Sequence, residues 1–167
     1  MRFAGRLVLG TILVLLFAIG TLVWISNRGL RTELEHEVTR SLLVEARLVA
    51  GALGAEPAGW QDAVAAYAVA SGHRITLIAR DGRVVAETGI SAASREHLES
   101  HADRPEVVAA LARGEGTDVR VSESVGRPLL YVAVPGGPGV VRVAASLALV
   151  EEAGRRARGV LLSAALL

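Results

Sequence analysis

Apolar and polar positions are sharply segregated along this chain. From Leu7 to Ile25, nineteen residues carry no charge and fifteen are apolar, broken only by Gly10, Thr11, Gly20 and Thr21. At ~1.5 Å per helical residue the run approaches the ~30 Å hydrocarbon core of a bilayer. Trp24 at its far edge suits an interfacial position. A cleaved signal peptide with Arg2 and Arg6 as its basic flank is the competing reading. Signal h-regions, however, run about 7–15 residues and end at small-x-small sites, whereas Leu22-Val23-Trp24-Ile25 stays bulky to the end. The run is therefore expected to be an uncleaved membrane anchor. A second apolar run, Val160 to Leu167, is too short to span. Behind Arg155, Arg156, Arg158 and Gly159 it reads as the truncated start of a second membrane helix, the alternative being a short apolar tail.

Between these runs the period changes repeatedly. Asn27 to Leu53 lacks proline and places Leu30, Leu34, Val38, Leu42, Val49 and Leu53 at helical spacings, which predicts a long helix with one apolar face. That face seals either against its own domain or against the same helix of a second subunit. Pro57-Ala58-Gly59 interrupts it, and Trp60 to Ala70 predicts a shorter helix ending at Gly72. Arg74–Ala79 and Val84–Thr88 read as strands joined at Asp81-Gly82, a strong hairpin signal in which Asp81 serves the turn. Ser91 to Arg113 is helical in two pieces. The second is expected to be capped by Asp103, with Pro105 in the first turn, Glu106 completing a capping box, and Val107, Val108 and Leu111 facing the core. Thr117–Ser124 predicts a strand with Val119 and Val121 inward and Asp118 and Arg120 outward. Leu129–Val134 and Val140–Ala145 are almost wholly apolar, predicting central strands joined through Pro135–Gly139. A last helix is expected over Leu147–Arg158. The fold class is α+β, an antiparallel sheet flanked by helices.

Composition narrows the functions open to such a domain. There is no cysteine, so no disulfide framework, zinc ribbon or thiol nucleophile. Eighteen basic against seventeen acidic residues give a net charge of +1, which argues against nucleic acid as a partner.

Catalytic sets are sought without success: no phosphate loop, dinucleotide glycine set or Gly-x-Ser-x-Gly elbow occurs, and no cofactor is expected. His36 reads as an exposed helical histidine. His97 and His101 stand four apart, as a metal pair on a helix would, but no third ligand has a specific spacing, so they are weak metal candidates only. Arg142 breaks an apolar strand, where a charge is costly unless paired or solvated. Tyr131 interrupts the neighbouring strand. Either would line a ligand cavity on the sheet; the plainer reading of Arg142 is a pair with a glutamate or an exit to the sheet edge.

The order membrane helix, long helix, Arg74-Ile75-Thr76-Leu77-Ile78 with Asp81-Gly82-Arg83-Val84, then His101-Ala102-Asp103-Arg104-Pro105-Glu106-Val107, then Leu129-Leu130-Tyr131-Val132-Ala133-Val134-Pro135 and Val140-Val141-Arg142 resembles the extracytoplasmic sensor region of bacterial transmembrane sensor histidine kinases. The nearest type is the phosphate-regulon kind, with a PAS-like (PDC, Cache-related) input domain. Arg104-Pro105-Glu106-Val107 is its most specific part. The resemblance implies a homodimer whose membrane helices shift in response to an external ligand or membrane signal, with the lipid bilayer as a further partner. It implies a cytoplasmic N-terminus over 1–6, a membrane helix over 7–26, an extracytoplasmic sensor domain over 27–158 and the start of a second membrane helix over 159–167. Tyr131, Arg142 and Arg104 are the candidate ligand residues, with no ligand assigned. No phosphoacceptor box or ATP-binding domain stands in these residues, so no enzyme activity is expected of them. Two rival outputs are the input end of a chemoreceptor or cyclic-dinucleotide enzyme, and a stand-alone anchored binding protein.

Overall fold

The computed structural model describes residues 2–53, 57–90, 98–122, 125–137 and 139–148. Outside the described residues lie the first helical piece expected from Ser91, His97 with it, nearly all of the helix expected over Leu147–Arg158, and the apolar run Val160–Leu167. Two compact units divide the chain, the first running from the N-terminus to His36 and the second covering Glu37–Ala148. Helix α1, Arg2–Ala52, contributes to both.

In the first unit, Val8–Ile25 is the one described helical segment long and apolar enough to cross a membrane. It is apolar all round: Val8, Leu13, Phe17, Leu22 and Trp24 are exposed. Its polar Thr21 is internally satisfied, donating from Oγ1 to the Phe17 carbonyl at 2.8 Å, a bond that a hydroxyl would need if the helix lay in hydrocarbon. The Arg28 guanidinium lies 4.7 Å from the Trp24 ring centre.

The second unit is built on a five-stranded antiparallel sheet of order β2-β1-β5-β4-β3. The strands are β1 (Arg74–Ala79), β2 (Val84–Glu87), β3 (Gly116–Val121), β4 (Pro128–Gly136) and β5 (Gly139–Ser146). The two apolar runs are indeed interior strands. Register sends Ile75, Leu77, Ala86, Leu130, Val132, Val134, Val141, Val143 and Ala145 to one face, and all are buried. Each such aliphatic contributes roughly 1.5–3 kcal/mol relative to exposure. The helical residues available to cover them are Leu42, Ala46 and Val49 of α1 and Val64 and Ala68 of α2 (Trp60–Ser71), also buried. The apolar stripe of the long helix thus serves its own domain at Leu42 and Val49.

Helix α3 (Pro105–Arg113) packs on β3, β4 and β5 against the opposite face. There Val107 and Ala110 join Ile78, Ala133 and Val140 in a small apolar cluster. Three expectations fail here. The helix begins at Arg104, which sits at the N-cap with no side-chain cap bond, while Asp103 is exposed. Glu106 is fully buried in the second helical position, drawn away from the cap by arginines of the sheet. Val108 and Leu111 are exposed, the inward positions being Val107 and Ala110.

Strand β3 is also turned over relative to expectation. Val119 and Val121 are 53% and 62% exposed, and Asp118 and Arg120 lie on the face that carries α3. Pairing with β4 places Asp118 opposite Tyr131 and Arg120 opposite Leu129. An edge strand tolerates exposed valines, whereas the buried carboxylate of Glu106 requires a cation beside it. Gly116 makes the approach possible: a Cβ there would fall inside the Glu106 backbone carbonyl.

Candidate functional site

Beside the start of α3 the sheet face turns from apolar to charged. A cavity of about 70 Å³ opens there, lined by Arg74, His101, Arg104, Arg120, Val121, Ser122, Tyr131 and Arg142. The three candidate ligand residues, Tyr131, Arg142 and Arg104, come together in it.

Each wall has a local cause. The β1–β2 turn closes as the Asp81-Gly82 signal implied: Asp81 Oδ1 accepts the Arg83 backbone N–H at 3.0 Å, and Gly82 has φ +85°. The turn then receives the segment before α3. The His101 N–H donates to the Gly82 carbonyl at 2.8 Å, and a Cβ on Gly82 would lie 2.5 Å from the Ala102 nitrogen. This docking holds His101 and Arg104 over the sheet. Arg142, Tyr131, Arg74 and Arg120 reach the same place because cross-strand pairing sets Arg142 opposite Thr76 and Ala133, Tyr131 opposite Ala144 and Asp118, and Arg74 opposite Ala144.

The charges form one connected network. Arg120 donates to Glu106 in a two-point contact, Nη1 to Oε2 at 2.7 Å and Nη2 to Oε1 at 3.0 Å, and Nη1 also reaches Asp118 at 2.8 Å. Arg142 donates to Glu106 at 3.4 Å and to the Thr76 hydroxyl at 3.2 Å. Thr76 donates to Glu87 at 3.3 Å, and Arg74 pairs with Glu87 at 2.5 Å. The Arg120 and Arg142 guanidiniums lie 3.9 and 5.2 Å from the Tyr131 ring centre, cation–π contacts that place the ring as a second neutral partner for both.

Burial works against the charges of Glu106, Arg142 and Arg120. It would raise the Glu106 carboxyl, but the Arg120 bonds outweigh it and hold the group below its ordinary value. Burial lowers the Arg142 guanidinium, with Glu106 and Glu87 opposing. For Arg120 the bonds to Glu106 and Asp118 overcome desolvation and raise it. For His101 the help is too weak: burial, then Arg142 and Arg104, outweigh the opposing charge of Glu106 and lower it to about 4. It is a neutral imidazole among guanidiniums, a setting unsuited to a metal ligand; its proposed partner His97 lies outside the described residues.

The pairing of Arg142 with a glutamate, the plainer sequence reading, is what the structure shows. It coexists with the cavity. Sequence reasoning passed over Arg120, Arg74 and Glu106 as site residues. The available signal was polar residues at alternating positions, Arg74 with Thr76 and Asp118 with Arg120, in strands otherwise read as half-buried.

No protein-family model matches the sequence, and no curated protein matches it. Solved structures do. The ligand-binding domain of the Campylobacter jejuni chemoreceptor Tlp3, in complex with L-valine, matches with TM-score 0.55 and 11% identity over 80% of this chain and 65% of that one. The sensor domain of the V. cholerae histidine kinase DctB matches with TM-score 0.47 and 18% identity over 90% and 60%. This chain therefore spans a little under two thirds of either domain's length. At 11% identity the likeness to the chemoreceptor domain is one of fold alone: this chain shares its α+β architecture.

Proposed function

We propose that this chain is the signal-input portion of a transmembrane sensor protein, with the arginine-lined cavity as the place where its stimulus acts. The observation that carries the reading is the conjunction of a sensor-type fold with a charged cavity on the sheet face beside α3. The anchor Val8–Ile25 would hold the protein in the cell membrane, with the sensor unit outside, as part of a homodimer. The sequence resemblance favours a sensor histidine kinase of the phosphate-regulon type as the parent protein. The chemoreceptor reading is favoured by the fold shared with a chemoreceptor ligand-binding domain. In both, the segment transduces a shift in population between two arrangements and performs no chemistry itself.

A chimera tests this. The chain up to Arg158 is joined to the second membrane helix and cytoplasmic part of a histidine kinase of known output, and Arg104→Glu is introduced in the cavity. A change of output that leaves the level of membrane protein constant supports the reading; an unchanged output opposes it. A topology reporter fused after Ala148 is expected outside the cytoplasm, and a cytoplasmic reporter would overturn the placement. The coding sequence beyond codon 167 separates the parents: a phosphoacceptor-histidine box marks the kinase, a methylated coiled coil the chemoreceptor.

A further inference from the structure

Among the described residues, three buried side-chain nitrogens that line the cavity find no hydrogen-bond partner: His101 Nδ1, Arg104 Nε and Arg142 Nε. The Arg142 side chain is only 5% exposed, and its Nε is itself buried. An unmet buried polar group costs about 1–3 kcal/mol, and more when charged. The charges are also out of balance. Among the described residues four guanidiniums line the cavity, and the carboxylates seen paired with them are three, Glu87, Glu106 and Asp118. Among the described residues Arg104 has no carboxylate within pairing distance. Every unmet group on an arginine is a donor, so the missing partner is an acceptor bearing negative charge. The volume limits its size. A cavity of about 70 Å³ has room for a group the size of one carboxylate or tetrahedral oxyanion.

We propose that the cavity takes a small oxyanion, a carboxylate, sulfate or phosphate group, and that each anion bound brings one proton from solvent onto His101. The inference deepens the reading just given and rests on it for the claim that this cavity receives the stimulus. His101 shares the cavity with Arg104 from its own segment, Arg142 from β5, Arg120 from β3, Arg74 from β1 and Tyr131 from β4, and feels Glu106 from α3; Asp118 and Glu87 stand behind Arg120 and Arg74 as their partners. With the cavity empty, positive charge dominates and the imidazole stays neutral. An oxyanion cancels that excess and offers Nδ1–H an acceptor. Protonation and anion binding then favour each other, as linkage requires. The buried carboxylate of Glu106, already held by Arg120 and Arg142, shows that this face accommodates a carboxylate between guanidiniums.

The test is calorimetric titration of the full chain in detergent micelles with sodium sulfate at fixed ionic strength. Sulfate does not titrate between about pH 5 and 7, the range in which a histidine is the responsive side chain. Binding is expected to tighten by up to about tenfold per pH unit as pH falls, with uptake of about one proton per sulfate read from buffers of different ionisation heat. His101→Gln is expected to bind sulfate with no pH slope. Arg104→Gln, with unchanged circular dichroism, is expected to lose about tenfold or more in affinity. Parallel titrations with formate and phosphate tell a planar carboxylate from a tetrahedral ion. Folded wild-type protein that binds none of the three at millimolar concentration overturns the anion site. Binding with no pH slope, or with the same slope in His101→Gln, overturns the proton. In each of those cases the chimera can still respond through Arg104, so the two readings fail separately.

Discussion

The two faces of the sheet solve burial in opposite ways. One face is aliphatic from β2 to β4, with Ile75, Leu77, Val132, Val141 and Val143 at or near zero exposure and no charge among them. The other shares its apolar cluster around Val140 with α3, then gives way to Arg74, Arg120, Arg142, Glu87 and Glu106. The first face needs only volume and shape. The second holds ions that repay their desolvation only through geometry, so it is fixed by specific partners and is sensitive to their loss. A sheet built for stability alone would carry aliphatics on both faces. Keeping Arg142 at 4% exposure, beside half-buried Arg74 and Arg120, points to a use for them.

The largest effect is expected at the join between α3 and the sheet. Glu106→Ala leaves Arg142 buried without its carboxylate and is expected to cost about 3–5 kcal/mol in urea unfolding. Pairing it with Arg142→Met is expected to recover a good part of that loss. If the single variant unfolds like wild type, the contrast between the faces is wrong. Leu77→Ala on the aliphatic face is expected to cost roughly 2–5 kcal/mol through the cavity it leaves, and to leave sulfate affinity unchanged because it touches no charged group of the site. A loss of affinity there would mean that the faces are coupled.

Smaller again is the pH dependence of the ligand-free protein. His101 is held at about 4 against 6.5 in the unfolded chain. Between those values the unfolded state binds more protons, so stability rises with pH and is lost as pH falls through that window. Thermal unfolding is expected to show this slope in wild type and a weaker one in His101→Gln, which isolates the imidazole from the carboxylates titrating nearby. Least of all, Val121→Thr on the exposed side of β3 is expected to change stability by no more than about 0.5 kcal/mol. A large loss would return Val121 to the buried position that its sequence pattern suggested.

That last point shows where sequence was readable and where it was not. Period and turn chemistry identified β1, β2, β4 and β5, the Asp81-Gly82 turn and the left-handed end of α2 at Gly72, because each depends on neighbours along the chain. Strand β3 was found but turned over. Alternation gives two faces without saying which is inside, and the answer lay in Glu106 across the fold. The same carboxylate defeated the expected capping box: a local rule put it at a helix start, and two arginines distant in sequence claimed it. Arg142 and Tyr131 were visible as interruptions of apolar strands, and Arg104 through its place in the resembling motif. Arg120, Arg74 and the neutral state of His101 were not, since they arise from register and from the sum of charges around one cavity.

The most direct test follows the His101 imidazole itself by nuclear magnetic resonance, titrating the ring from neutral to acid pH without and with saturating sulfate. Without sulfate the ring is expected to protonate near 4, and with sulfate to protonate at distinctly higher pH. A His101 that titrates at the same pH in both conditions would contradict an anion site coupled to this histidine.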